Sequence, residues 1–569
     1  MKHSICQILF TGLLALVACT NAPEIQQTVV QPPHLEKRGE VTQLIVRGEP
    51  YLVLACELGN SNSSSRAYLE PYWEPLKQAG INTVLAVIGW EQVEPEEGEF
   101  DFTLVDNLIT DARAHDLKLM LLWFGSWKNG MSSYHPKWVK NDNNRFPLAM
   151  TKEGRELPIL SVFGQNTWEA DSKAFGAMMQ HLKEIDSVDQ TVLMVQIENE
   201  VGLHGYSRDY SPAANQAYAG PVPEELTSYL VNHRDQLLPE TLEAWQKGGF
   251  RTSGTWEEVF GKGYRTDEIF MAWYYASYLD KIAAAGKEVY PLPAFVNAWI
   301  VQPEDVRPGN YPSGGPQAQN HDIWRAAAGH IDILCPDIYL SDFPGILRMY
   351  SRSGNPVFIP ESRAGQNGAA NAAYAIGAMG AIGYSPFGFD RSVTSPMNST
   401  FSAFYRKAAA VSKILLDAQA SGKIRAAWLK GSDPEKFKDE VVLGDYRILF
   451  ELVSSGMRKG GAPQLTGGTY SPDAIGYAIV VQEEEGYLFL GSNVRITFLP
   501  ADGNGIVGLG KVTEGDFNDG EWVEGRWLNG DEIQLRYDVL SATEEGFSGQ
   551  GLNFGSPEPG FIKVELYRY

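Results

Sequence analysis

Two short runs of this chain end in carboxylates where a core could not hold them. The run 192–197 (VLMVQI) is mostly apolar and strand-forming, and it breaks directly into Glu198, Asn199 and Glu200. Unpaired charge is costly to bury, so a strand of that kind is expected to emerge at this point into a polar site. The run 356–360 (PVFIP) behaves the same way and ends in Glu361, Ser362 and Arg363. Two carboxyl groups that meet at strand ends suit a division of labour: one protonates a leaving oxygen while the other attacks carbon. That is the chemistry of glycoside hydrolysis, and retention of configuration calls for a separation of about 5–5.5 Å. Repulsion at that range, together with burial, raises the pKa of the acid and lets it keep its proton.

The elements that would bring the two together read as strand, turn, helix, repeated. Strands are expected at 51–56, 83–87, 118–123, 192–200, 292–297, 331–337, 356–361 and 380–384. Helices are expected around Tyr72, Leu76 and Ala79, then at 104–115, 168–185, 268–285 and 401–418, and a long excursion over 201–266 follows strand four. Eight such units are the expectation for an α/β fold of the (β/α)₈ type, a TIM barrel, whose sites lie at the carboxyl ends of the strands. Strands four and seven face each other across such a mouth. Polar and aromatic residues gather after the other strands too, with a loop from Phe124 to Trp138 after strand three. Beyond Ser421 short alternating runs separated by Gly, Asp and Asn take over, the pattern of a β-sandwich. The expected division is a catalytic barrel over 41–420 and a C-terminal β-sandwich over 421–569.

Composition narrows the partners. The net charge of −23 over 569 residues repels phosphate backbones, which argues against nucleic acid or any anionic polymer as substrate. The 14 Trp and 26 Tyr suit a well-filled core and also sugar-stacking surfaces. The nine His are scattered and no Cys/His cluster has metal-ligand spacing, so neither a metal nor a cofactor is expected. The amino terminus reads as an export signal: an apolar stretch over 8–17 is followed by Leu16-Val17-Ala18-Cys19. This is the pattern of a bacterial lipoprotein, cleaved before Cys19 and lipidated on its sulfur. Residues 1–19 are then signal, 20–40 a tether, and the absence of Asp at Thr20 and Asn21 points to the outer membrane. Membrane contact is expected through that anchor alone. Cys56 and Cys335 fall in buried strands and are expected as unpaired thiols.

The motifs carry a family resemblance. Residues 195–202 (VQIENEVG) resemble the V-Q-I-E-N-E-Y-G signature of the retaining β-galactosidases of glycoside hydrolase family 35. Trp90, Glu94, Pro95, Gly98 and Phe100-Asp101-Phe102 resemble the W-x-x-x-E-P-x-x-G-x-F-D-F of the same family and its relatives. The resemblance covers the barrel. It implies Glu200 as acid/base, Glu361 as nucleophile, Asn199 on the sugar 2-hydroxyl and Tyr339 as a hydrogen-bond donor to the nucleophile. Glu57 stands where the family has a Gly-Glu pair, with Cys56 in place of the glycine. Asp337 is a candidate for sugar hydroxyls or for bracing an arginine, and Trp127, Trp299 and Phe387 for stacking, with core packing as the other option for each. After strand three the family's Gly-Pro-Tyr-Ile-x-Ala-Glu loop is replaced by residues 123–129 (WFGSWKN), where Lys128 and Asn129 become candidate substitutes for its sugar contacts. The expectation is an exported, retaining exo-β-galactosidase acting on plant cell-wall oligosaccharides. The alternatives are a β-glucosidase or β-xylosidase, or a non-catalytic glycan-binding lipoprotein.

Overall fold

The computed structural model describes residue 1 and residues 31–569 except 130–132, 305, 454–469, 519, 531, 542–543 and 557; of 534–549 it describes the backbone. Eight parallel strands close into a barrel in chain order: β1 (Val53–Glu57), β2 (Thr83–Gly89), β3 (Lys118–Lys128), β4 (Val192–Asn199), β5 (Ala294–Trp299), β6 (Ile333–Ile338), β7 (Phe358–Ser362) and β8 (Gly383–Pro386). The barrel interior is apolar. Val53, Leu85, Met120, Leu122, Leu193, Phe295, Ile333 and Phe358 fill it. Leu44 and Val46, from an antiparallel sheet of His34–Arg38, Val41–Val46 and Glu49–Tyr51, belong to the same cluster. With the interior filled, strand-end polar groups have room only at the opposite, carboxyl rim.

Several elements differ from expectation. Strand three does not give way to a loop at Phe124; β3 stays extended to Lys128, and its register against β4 breaks between Trp123 and Lys128. In that break the amides of Gly125, Ser126 and Trp127 donate to the Glu198 carboxylate rather than to a neighbouring strand. A helix over Gly365–Met379 was not expected, because Ala and Gly give it no amphipathic stripe; every residue from Gly368 to Gly377 is buried. Gly380, at φ 61°, is its left-handed cap, so the eighth strand starts at Gly383 instead of Gly380. The last helix is two, Ser399–Ala410 and Ser412–Ser421. The 201–266 excursion carries helices Pro212–Ala219, Glu224–Asn232, Pro239–Lys247 and Trp256–Phe260.

Beyond the barrel a six-stranded and a five-stranded antiparallel sheet share a core that includes Ile448, Phe450, Phe489, Phe498 and Leu552. The six-stranded sheet lies on the alanine-rich helix. Trp428 Nε1 donates to Asn371 Oδ1 at 3.0 Å, and a Cβ added at Gly377 would stand 2.7 Å from that of Ala426. Cys56 and Cys335 are buried free thiols. Among the described residues no helix is long and apolar enough to cross a membrane; Cys19 lies outside them.

Candidate active site

The end of β4 is conformationally strained. Glu198 and Glu200 both have positive φ, 58° and 45°, a region costly for residues with a Cβ and one that clusters at functional sites. The strain turns the two side chains to different tasks. Glu198 is buried and accepts three backbone N–H bonds, at 2.8–3.0 Å, from Gly125, Ser126 and Trp127. Asp171 beside it accepts from Trp123 Nε1 (2.8 Å), Ser126 N (3.0 Å) and Ser126 Oγ (2.5 Å). Burial, then the Asp171 charge, pushes Glu198 well above the usual carboxylate range, and the two share protons as a pair. Together they hold the end of β3.

Glu200 lies beyond the last residue of β4 with its side chain in the mouth. Asn129 Nδ2 donates to its Oε2 at 3.1 Å and Asn199 Nδ2 to the same oxygen at 3.5 Å. Its backbone N–H donates to Asn297 Oδ1 at 2.9 Å. Asn297 is the hub here: its Nδ2 donates to Asn199 Oδ1 at 3.0 Å and to Asp337 Oδ2 at 2.8 Å. Glu361, at the end of β7, accepts from Tyr339 Oη at 2.8 Å on Oε1. Burial, then the Glu200 charge, pushes Glu361 up to about 7; the Tyr339 hydrogen bond and Lys128 work against that rise. Arg363 lies over the Tyr339 ring, 5.5 Å from its centroid. Glu200, Glu361 and Asp337 each offer one oxygen within 4.8 Å of the others.

These groups open into a cavity of about 470 Å³, a size that suits a small-molecule ligand. Of the sequence candidates, Glu200, Glu361, Lys128, Asn129, Trp299, Asp337, Tyr339 and Phe387 line it. Asn199 and Glu57 are buried and do not line it. The Asn199 oxygen is taken by Gln196 and Asn297. Burial, then the Glu361 charge, pushes Glu57 well above the usual carboxylate range, with Glu200 adding to the rise and Lys128 working against it. Trp127 is a correction. It is 4% exposed and meets Tyr275 edge-on at 5.0 Å, in the core rather than in the cavity. Because β3 is extended to Lys128, successive side chains point to opposite sides, so Lys128 and Trp127 cannot both face the mouth. Ile300, Gln302, Leu340 and Asn60 also line the cavity and have no sequence signal. Asn297 had one: it is a polar residue amid the apolar run 294–299.

Parts of the chain are similar to known proteins. Residues 60–259 match the family model described as β-galactosidase, glycoside hydrolase family 42. Residues 401–539, from the last barrel helices into the sheets, match a domain of unknown function, DUF5597. A β-galactosidase of Xanthomonas manihotis is 23% identical over 253 residues, which is 42% of this chain and 38% of that protein's length. Among solved structures, the β-galactosidase of the psychrophilic Marinomonas ef1 aligns at a TM-score of 0.44 with 12% identity, over 65% of this chain and 62% of that one. The β-galactosidase of Bacillus circulans sp. alkalophilus aligns at 0.41 with 14% identity, over 64% and 57%. In its barrel, this chain is similar to β-galactosidase-type glycoside hydrolases.

Proposed function

We propose that this chain is a retaining exo-β-galactosidase, with Glu200 as acid/base and Glu361 as nucleophile. The observation that carries the reading is the spacing of the pair, whose nearest oxygens lie within 4.8 Å. Retaining enzymes hold their carboxyl groups roughly 5–5.5 Å apart and inverting ones roughly 6.5–9.5 Å, so oxygens this close support retention. In the first step Glu200 passes its proton to the glycosidic oxygen, and the leaving group departs as an alcohol. The free oxygen of Glu361, Oε2, attacks the anomeric carbon while Tyr339 holds Oε1. In the second step Glu200, now a carboxylate, takes a proton from water as that water attacks the same carbon and releases Glu361. Two inversions give retention.

Galactose as the sugar is supported by the family match over 60–259 and by the resemblance of the β4 motif to family 35. Removal of one terminal unit is supported by a cavity of this size at the barrel mouth. Plant cell-wall oligosaccharides as substrate, with anchoring in the outer membrane through Cys19, extend the same proposal from the amino-terminal pattern. Glu361→Ala should abolish hydrolysis of aryl β-galactosides, and azide should restore it with a galactosyl azide of inverted configuration. Glu200→Ala should keep forming the glycosyl-enzyme from substrates with good leaving groups and lose those with poor ones. Residual wild-type-like hydrolysis in Glu361→Ala would place the nucleophile elsewhere. A substrate panel with no preference for galactosides would overturn the sugar.

A further inference from the structure

A third carboxyl group stands inside the pair. Asp337, on β6, brings an oxygen within 4.8 Å of both Glu200 and Glu361 and is 3% exposed. Its Oδ2 accepts from Asn297. Its Oδ1 is buried and has no donor among the described residues. As an ionised carboxylate it would leave a buried charged oxygen with no protein donor beside two others, a costly arrangement. As a carboxylic acid it becomes a donor, which is what a neighbouring carboxylate lacks. Titratable groups face it from every side: Glu200 after β4, Glu361 on β7, Glu57 on β1, Cys335 and Tyr339 on and beyond its own strand, and Tyr350 on the helix Phe343–Tyr350, while Lys128 on β3 acts on Glu57 and Glu361. Four carboxyl groups thus meet one ammonium, and they cannot all ionise together. Burial first, then the charges of Glu361, Glu200 and Glu57, holds Asp337 well above the usual carboxylate range.

We propose that Asp337 is a protonated carboxylic acid in the working protein and a positioning residue for proton delivery, donating its O–H to Glu200 once Glu200 has given its own proton away. The proton balance is simple. Glu200 loses its proton to the glycosidic oxygen and becomes a carboxylate. The Asp337 O–H then supplies a charge-assisted hydrogen bond to it. Water returns a proton to Glu200 in the second step, and the Asp337 proton is never consumed. The inference rests on Glu200 being the acid/base of a glycosidase.

The test is the alkaline limb of kcat/KM against pH on an aryl β-galactoside with a poor leaving group, with folding checked by thermal melting. Asp337→Asn keeps the shape, the neutrality and a donor, so its limb should stay where the wild type has it. Asp337→Ala loses the donor that stabilises the Glu200 carboxylate, so its limb should rise by about one pH unit. If Asp337 were ionised, Asp337→Asn would remove a repelling charge and the limb would fall by about a unit; that result overturns the proposal. A uniform loss of rate in both variants with no movement of either limb means a structural role and overturns it too. The infrared carbonyl band of a buried protonated carboxyl, present in wild type at neutral pH and lost in Asp337→Asn, tests the protonation state without any turnover, and its absence from wild type also refutes the idea. Failure of the underlying reading looks different: wild type itself would not hydrolyse the substrate panel, or Glu361→Ala would remain active.

Discussion

At the scale of the residue, the decisive feature is that Glu361 is held between opposing influences. Burial and Glu200 raise it to about 7, while Tyr339 and Lys128 lower it. A nucleophile must be ionised, so the acid limb of kcat/KM should report this group. Tyr339→Phe removes a hydrogen bond that favours the charged form, and the limb should therefore move to higher pH. The loss of a bond to a charged group is worth about 1.5–3 kcal/mol, so kcat/KM well below the limb should drop roughly 10- to 100-fold. A pH–rate profile checks both the direction and the size. An unmoved limb would mean that Tyr339 Oη does not act on Glu361. Both catalytic candidates were legible in the sequence because each interrupts an apolar run. Asn297 carried the same kind of signal more faintly, and only the structure shows it holding Glu200, Asn199 and Asp337 at once.

At the scale of the element, β3 is shaped by a side chain of β4. Glu198 takes three amides of β3, and the residues that follow them, Lys128 and Asn129, line the cavity. Glu198→Gln puts an NH₂ against at least one of those N–H donors and leaves a buried amide unpaired, at a cost of about 1–3 kcal/mol. Stability to denaturant should fall by that order, and KM should rise more than kcat falls, because Lys128 and Asn129 shift while Glu200 keeps Asn199 and Asn297 and Glu361 keeps Tyr339. Unchanged KM and full stability would show that Glu198 does not set this wall. Residues 124–128 read as loop because the run after Trp123 turns aromatic and polar. Their extended form depends on a carboxylate distant in the chain, which local pattern does not reveal, and the misplacement of Trp127 follows from that.

At the scale of the whole molecule, the barrel and the C-terminal sheets are joined through Gly365–Met379. Side chains of that helix, of Trp428 and Ala426, and of Tyr477 and Ile479 fall in one continuous apolar cluster. Gly377 has no space for a side chain, with Ala426 Cβ, Arg425 O and Ile479 Cγ1 within 3.2 Å of an added Cβ. Gly377→Val should overpack this seam and cost about 1–3 kcal/mol. Calorimetry should show a single transition moved to lower temperature, since both halves share the seam. Two separated transitions, with that of the barrel unmoved, would make the sheets an independent unit. The helix escaped the sequence reading because its small residues are apolar on all faces, and a period-3.6 stripe exists only where one face meets water.

What the sequence determined by itself was the alternation of strands and helices and the placement of Glu200 and Glu361 at the ends of two strands. Burial of an apolar run is local information, and so is its interruption by charge. Tertiary structure alone decided how close those carboxyl groups come, that Asp337 joins them, that Lys128 faces the mouth while Trp127 faces the core, and that Glu198 serves β3. All of these depend on distances between strand ends far apart in the chain. Closure of the barrel sets those distances, and the electrostatics of the site follow from them.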